Sequence, residues 1–248
     1  MRGSTERLPT AGRVTRRRSP RTCASTSRPA APVLAALRST WFADPVPDLP
    51  MFPLGSVLLP HMPLPLRLFE PRYLRMLGDV LEDETLAFGV VLIERGQEVG
   101  GGDQRFAVGT RARILNIDGA ESFVTLDSVG EERFEVVRWY EDDPYPSAEV
   151  RPLADLEWDE RHASALDAAE SAVRTALAVA SEFVEQRYGA VVELAEDPAA
   201  HAWQLAGVAP VTELDRLAFL RSTSMEELLD SVRERSAEAT ESFRAGWA

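Results

Sequence analysis

The sequence contains no lysine, since all 27 of its basic residues are arginine. This absence excludes the chemistry that needs a lysine amine, namely a Walker A phosphate site, a Ser-Lys protease dyad and a Schiff base. The one cysteine, Cys23, lies near the N-terminus, so the rest of the chain offers no disulfide, thiolate ligand or thiol nucleophile. His61, His162 and His201 are far apart and lack the spacing of metal ligands. We therefore expect no catalytic residues, no metal site and no cofactor.

Long apolar runs are also absent, and no stretch approaches the roughly 18 apolar residues that a membrane-spanning helix requires. The net charge is −13, but residues 1–48 contain nine arginines and three acidic residues and so carry +6, which leaves −19 on the other 200 residues. A body this acidic repels phosphate backbones. We expect a cytoplasmic protein with neither a nucleic acid nor a membrane as its partner.

Residues 1–48 form a basic tail rich in Arg, Ser, Thr and Pro, with "APVLAAL" as a single short apolar run. So little apolar surface cannot support a fold of its own, and we predict a disordered tail. Two alternatives stay open, a targeting segment and a docking arm. The first is suggested by Arg16, Arg17 and Arg18, which precede the apolar run as in a twin-arginine signal.

Residues 49–154 show the period of two that is typical of strands. In "RFAVGTRARIL" the apolar residues alternate with Arg111 and Arg113, and "LAFGVVLI" is apolar on both faces, as a central strand would be. The run "ERFEVVRWY" places Val136 on the face opposite Trp139. The pattern predicts a β subdomain over these residues.

Residues 155–248 change to the period of a helix. An apolar stripe over Leu166–Tyr188 predicts one helix of about six turns that ends at Gly189. Capping sequences at Thr212 and Ser224 indicate two further helix starts, so we predict a helical unit of about four segments.

Strands first and helices second indicate an α+β protein rather than an alternating, doubly wound one. Because the two patterns meet near residues 152–158, we expect two separable cores that join there.

The segment "LPMFPLGSVLLPHMPLPLRLFEPRYLRML" (residues 49–77) is mostly apolar yet holds six prolines. Proline has no amide hydrogen, so strands that contain it lie at sheet edges or bulges. These residues therefore predict short extended pieces of a small barrel or curled sheet. Pro71 differs from the others, because it fits the first position of a helix whose apolar face can cover one end of the barrel.

At these residues the sequence resembles the N-terminal, substrate-binding domain of the Lon protease family. The likeness continues through "FAVGTRARILNID", "SFVTLDSVGEERFEVVRWY" and "YPSAEVRPL", and through "GVAPVTELDRLAFLRSTSMEELLDSV" in the helical part. The resemblance implies a PUA-like β pseudo-barrel followed by a C-terminal helical bundle, with residues 49–248 forming one unit. Full Lon proteases continue into an ATPase and a Ser-Lys peptidase, which these 248 residues do not contain. We therefore expect a stand-alone, non-catalytic form.

The resemblance implies a polypeptide-recognition module that acts as an adaptor or holdase in protein quality control. Its expected partners are unfolded or damaged polypeptides and an ATP-dependent protease. The alternative is a small-ligand-binding protein or an enzyme that uses a pocket of the barrel. The candidate peptide-binding residues are Phe69, Glu70, Arg72, Tyr73, Trp139 and Tyr140.

Each candidate also has a structural interpretation. The motif "FEPRY" (Phe69–Tyr73) can fix a strand-to-helix junction, with Arg72 paired to Glu70 or to a neighbouring strand, and we favour that role. Trp139 and Tyr140 can belong to the core instead of lining a groove.

Two other motifs are interpreted as structural. The glycines of "GQEVGGGD" (Gly96–Asp103) have P-loop spacing but no following Lys, which indicates a hairpin loop. The carboxylates of Glu131, Glu132 and Glu141–Asp143 are dense, and such clusters are typical of solvated turns.

Overall fold

The structure, a computed structural model, describes residues 46–82, 85–95, 104–119 and 123–246. Most of the predicted tail and all of the predicted Gly96–Asp103 loop lie outside these residues. The boundary expected between residues 48 and 49 falls inside the first strand, which begins at Val46. No helix among the described residues is long and apolar enough to cross a bilayer.

The N-terminal part is a barrel. Its elements are β1 (Val46–Leu54), β2 (Pro63–Leu68), α1 (Pro71–Glu82), β3 (Ala87–Arg95), β4 (Gln104–Gly119), β5 (Val124–Trp139) and β6 (Ser147–Pro152). The strand order is β2-β5-β4-β3-β1-β6, and β5 also pairs with β6. Five strands therefore close on themselves, and β2 extends the sheet beyond β5. The predicted pseudo-barrel is confirmed.

The proline-containing strands differ in position. β2 carries Pro63 and Pro65 and pairs only with β5, so it is an edge strand as predicted. β1 is not an edge strand, because it lies between β3 and β6, but its register with β6 shifts between Val46 and Leu49, at a bulge of the kind that the prediction allowed. β1 tolerates proline because its register with β6 reaches only to Pro50 and its register with β3 starts at Met51, so Pro50 pairs with β6 alone and Pro53 with β3 alone.

The barrel interior is filled by side chains from β1, β3, β5 and β6. The ring of Phe134 occupies the space that two glycines leave, because a Cβ added at Gly89 or Gly109 would stand 2.9 or 2.6 Å from its Cζ atom. β3 is buried on both faces, as a central strand, which confirms that prediction. The buried members of this interior cluster are Leu49, Met51, Val91, Phe134, Ala148 and Val150.

The end of β5 does not follow the predicted alternation. Val136 and Trp139 both pack against the interior cluster, whereas we expected them on opposite faces. The register between β5 and β6 shifts between Val136 and Arg138, and such a bulge places an extra residue on one strand. Val137 is consequently the exposed residue of this stretch.

The C-terminal part is helical, as predicted. After a short 3₁₀ turn (Glu160–His162) it forms α2 (Ala163–Ala180), α3 (Pro198–Val208), α4 (Glu213–Leu220) and α5 (Met225–Arg244). Thr212 and Ser224 cap α4 and α5, and their side chains accept from the amides of Asp215 and Glu227. Four helical segments and both predicted caps are confirmed.

The long predicted helix over Leu166–Tyr188 is wrong at its C-terminal end, because α2 stops at Ala180. The hydroxyl of Ser181 donates to the carbonyl of Ala178 at 2.7 Å, a local bond that competes with continuation of the helix. Tyr188 is nevertheless buried, since the following loop returns it to the core. The apolar spacing therefore predicted the burial of Tyr188 correctly but the length of the helix incorrectly.

The two halves share one core, contrary to the separable cores that we expected. A single cluster contains Phe52 and Phe88 from the strands together with Trp203, Phe219 and Leu228 from α3, α4 and α5. Phe88 projects from the face of β3 opposite Val91, so the strands turn one face inward and the other towards the helices. Barrel and helices are thus packed as one unit.

Candidate functional site

The "FEPRY" motif forms the junction between β2 and α1. Pro71 is the first residue of α1, as predicted, where its missing amide hydrogen costs nothing. The carbonyl of Glu70 accepts from the amide of Tyr73 at 3.1 Å and so begins the helix. Of the two partners considered for Arg72, the structure shows Glu70, whose Oε2 lies 3.1 Å from Arg72 Nε. The junction therefore has the contacts that the structural interpretation of this motif predicted.

An apolar cleft of about 140 Å³ lies beside this junction, and we call it the β2–α1 cleft. Tyr73 is only 3% exposed and forms its floor, with its ring centroid 4.2 Å from that of Phe52. Phe69 stands at the rim and is 56% exposed. Leu54 and Leu66 complete the apolar walls. The motif therefore combines a buried aromatic residue with an exposed one in a single cleft.

The rim of the β2–α1 cleft is charged. Glu70 and Arg67 both line it. The Arg67 guanidinium carbon lies 3.5 Å from the ring centroid of Phe123, which is cation–π geometry. An apolar floor with charged groups at its edge can take one apolar side chain while polar atoms hydrogen-bond the chain on either side.

Trp139 and Tyr140 lie elsewhere on the barrel. Trp139 packs against the interior cluster, and the Arg105 guanidinium lies 5.0 Å from its ring centroid. The hydroxyl of Tyr140 accepts from Arg138 at 3.2 Å. Tyr73 belongs to the larger core that the barrel shares with the helices. The structure therefore does not bring the two predicted groups of candidates into one site.

Sequence reasoning missed a second cleft of about 300 Å³ between the β1–β2 loop and the helical part. Two of its charged residues, Glu213 and Arg216, are bonded within the protein. Glu213 Oε2 accepts from the amide of Val57 at 2.6 Å, and Arg216 donates to the carbonyl of Ala209 at 2.9 Å as well as to Glu213. Val57 and Glu213 are more than 150 positions apart in the sequence, and a contact between such distant residues leaves no local signal. This cleft was therefore not predicted.

The predicted solvated turns are half right. Glu141–Asp143 lie in the exposed connection between β5 and β6. Glu131, however, lies within β5 and is half-buried, where it pairs with Arg113 and, at 2.6 Å, with Arg111. Glu131 can be half-buried within the strand because arginines on the neighbouring strand neutralise its carboxylate. Among the described residues, no group of three or more His, Cys, Asp or Glu side chains could hold a metal ion.

A closed β barrel that continues into a helical bundle, with a cleft at its β2–α1 junction, is an α+β architecture of the PUA-like kind. The sequence of residues 48–235 matches the family model described as the ATP-dependent protease La (LON) substrate-binding domain. The chain belongs to this family, as the resemblance implied, and so carries a substrate-recognition module.

Solved structures agree with this assignment. A Lon N-terminal domain protein from Xanthomonas campestris is 27% identical, with a TM-score of 0.53 over 75% of this chain and 97% of that chain. The N-terminal domain of Mycobacterium avium complex Lon protease is 18% identical, with a TM-score of 0.54 over 77% of this chain and 98% of that one. The second likeness supports the fold alone.

Proposed function

We propose that this chain binds unfolded or damaged polypeptides at the β2–α1 cleft and acts as an adaptor or holdase in protein quality control. The observation that carries the proposal is Phe69, a large aromatic side chain left 56% exposed at the rim of an apolar cleft. Complete burial of a phenylalanine side chain contributes a free energy of about 1.5–3 kcal/mol. An exposed aromatic residue next to a cleft can therefore stabilise a complex with a client.

The size of the cleft favours a polypeptide over a small molecule. Pockets for small ligands and cofactors usually enclose about 300–1,000 Å³. The β2–α1 cleft encloses about 140 Å³, which suits one apolar side chain of an extended chain. Tyr73 would contact that side chain from below and Phe69 from the side. Glu70 and Arg72 hold the junction in shape through their ion pair.

Charge should select among clients. Residues 49–248 carry −19, so basic or neutral segments are favoured over acidic ones. The electrostatic part is screened over about 8–10 Å at physiological ionic strength, so binding should weaken as salt is added. We place the protein in the cytoplasm and propose an ATP-dependent protease as the recipient of its clients, on the strength of the family to which it belongs.

The test is a fluorescence anisotropy titration with a labelled, reduced and carboxymethylated protein that cannot refold. Phe69→Ala should weaken binding about fivefold or more, because it removes the exposed anchor. Leu214→Ala is the matched control, since Leu214 is 64% exposed but lies on α4. Equal affinities for the two variants would contradict the assignment to this cleft. Saturation by a small metabolite, with no polypeptide binding, would favour the ligand-binding alternative.

A further inference from the structure

The outer half of β4 forms an open sheet edge. Its pairing with β3 ends at Arg113, opposite Ala87, whereas its pairing with β5 continues to Gly119. Across the described parts of the chain, no backbone group outside β5 bonds to residues 115–119. Residues 116–119 are exposed, and the backbone amides and carbonyls on one side of this segment have no partner strand among the described residues.

The proline in β2 determines which residues of β4 face outward. Pro65 has no amide hydrogen, so it occupies a position turned away from β5, where it pairs with Asp127 without hydrogen bonds. Bonding directions alternate along antiparallel strands, so Asp127 directs its backbone groups to β4, where its partner is Asn116. Ile117 and Gly119 must then direct their amides and carbonyls outward.

The opposite edge of the same three-stranded sheet is blocked. On β2 the outward positions are Pro63, Pro65 and Arg67, so Arg67 supplies the single amide donor there. Prolines on an edge strand prevent another chain from pairing with it. The outer half of β4, which has no proline, is thus the edge at which a strand can add.

The side chains beside this edge define the chemistry of an added strand. On one face Ile117 is 39% exposed and continues the row of Leu126 and Leu66, which pack in the core. On the other face Asp118 and Asp127 are exposed. A strand whose apolar residues alternate with arginine or lysine would match both faces.

We infer that a client polypeptide adds to the sheet as a strand along residues 115–119 of β4, with apolar side chains beside Ile117 and basic ones beside Asp118. This inference rests on the proposed function, because it specifies how the client backbone is held. Gly119, Val124 and Leu68 share one row of the sheet, and β4 and β2 are about 10 Å apart across β5. The same client can therefore continue to the β2–α1 cleft.

The first test uses a fluorescent peptide of alternating valine and arginine. Ile117→Pro removes an outward amide donor, so it should weaken binding about tenfold or more and leave the melting curve close to that of the natural chain. Ile117→Val keeps the amide and should stay within about twofold of the natural affinity. Equal binding of this peptide by both variants would overturn strand addition.

A second test leaves the protein unchanged and so does not depend on how well the proline variant folds. Two peptides are compared, one N-methylated at its valines and the other at its arginines. Alternate amides of a strand face opposite edges, so only one of the two modifications should abolish binding. Loss confined to one peptide supports strand addition, whereas equal behaviour of the two overturns it.

Two controls separate this inference from others. If Phe69→Ala weakens polypeptide binding while the Ile117 variants and both methylated peptides bind normally, strand addition is rejected and the cleft is retained. If neither peptide nor unfolded protein binds at all, both proposals fail. Light scattering measures the oligomeric state and so tests whether a second copy of the chain binds at this edge. A natural chain that is a dimer and an Ile117→Pro variant that is a monomer would show that it does, and would overturn the inference.

Discussion

Nη1 of Arg133 on β5 donates to the carbonyl of Leu220 at the end of α4, at 2.9 Å. The same atom donates to the carbonyl of Ser222 at 2.7 Å, and Nη2 donates to that of Ala154. Arg133 is 4% exposed, and burial lowers its pKa from the ordinary value while the charge of Asp155 opposes that shift. A buried cation held by two carbonyls from the helical part and one from the connection after β6 ties the two halves of the molecule together.

Replacement of this cation should be costly. Arg133→Met leaves three carbonyls without their donor, so we expect the free energy of unfolding to fall by about 3 kcal/mol. Arg138→Met is the control, since Arg138 is exposed and the loss of its pair with Glu149 should change the free energy of unfolding much less. Urea unfolding of both variants measures the difference, and comparable losses would show that the Arg133 contacts contribute little.

Replacement of two glycines by alanine should change the stability of the protein in opposite directions. A Cβ at Gly109 would stand 2.3 Å from the backbone oxygen of Val90, so Gly109→Ala should destabilise the barrel by about 2 kcal/mol or more. Gly78 in α1 has no atom within 4 Å of that position, and Gly78→Ala should stabilise by about 0.5–1 kcal/mol. Melting temperatures that shift in the same direction would contradict this packing.

The shared core predicts that the barrel does not fold alone. Residues 46–154 would lack Trp203, Phe219 and Leu228, which belong to the same buried cluster as Phe52 and Phe88. We expect this fragment to give a poorly dispersed amide NMR spectrum and no cooperative melt. A dispersed spectrum and a sharp transition would instead support independent domains.

Secondary structure was predictable wherever its signal is local. The caps at Thr212 and Ser224 depend on side chains three residues away, and β3 is marked by apolar residues on both faces. The errors concern features that distant contacts decide. Tyr188 is buried by a loop and not by a helix, and Trp139 reaches the barrel interior through a bulge that is defined only by the partner strand.

The candidate site was also predictable only where its signal is local. "FEPRY" is visible as a motif because Pro71 and Glu70 start the helix locally. The remaining walls of the cleft come from Phe52 and Leu66 on other strands, and no spacing in the sequence connects them. The open edge of β4 depends on where β3 stops pairing, which is a property of the assembled sheet.

The start of α5 should respond to pH. Glu227 accepts from the amide and the hydroxyl of Thr223, both at 2.7 Å, and these bonds hold the pKa of Glu227 below its ordinary value of 4.5. A depressed pKa in the folded state contributes stability that is present above the unfolded pKa and is lost as pH falls through the folded pKa.

Glu227→Gln should therefore lower the melting temperature slightly at pH 7, by the equivalent of at most about 0.5 kcal/mol, and the difference should shrink as the pH falls below the unfolded pKa. Glu226→Gln, one residue earlier in the same turn, is the control and should change the melt less. A difference for Glu227→Gln that persists unchanged at low pH would show that the Thr223 bonds do not depend on the carboxylate charge.

Hydrogen exchange with mass spectrometry, with and without a reduced, carboxymethylated client protein, tests whether clients bind at the β2–α1 cleft. We predict that the client slows exchange at residues 66–74, around this cleft, and that Phe69→Ala removes this protection while Leu214→Ala retains it. Client binding that leaves residues 66–74 unprotected, or that protects the cleft around Glu213 and Arg216 instead, would contradict binding at the β2–α1 cleft.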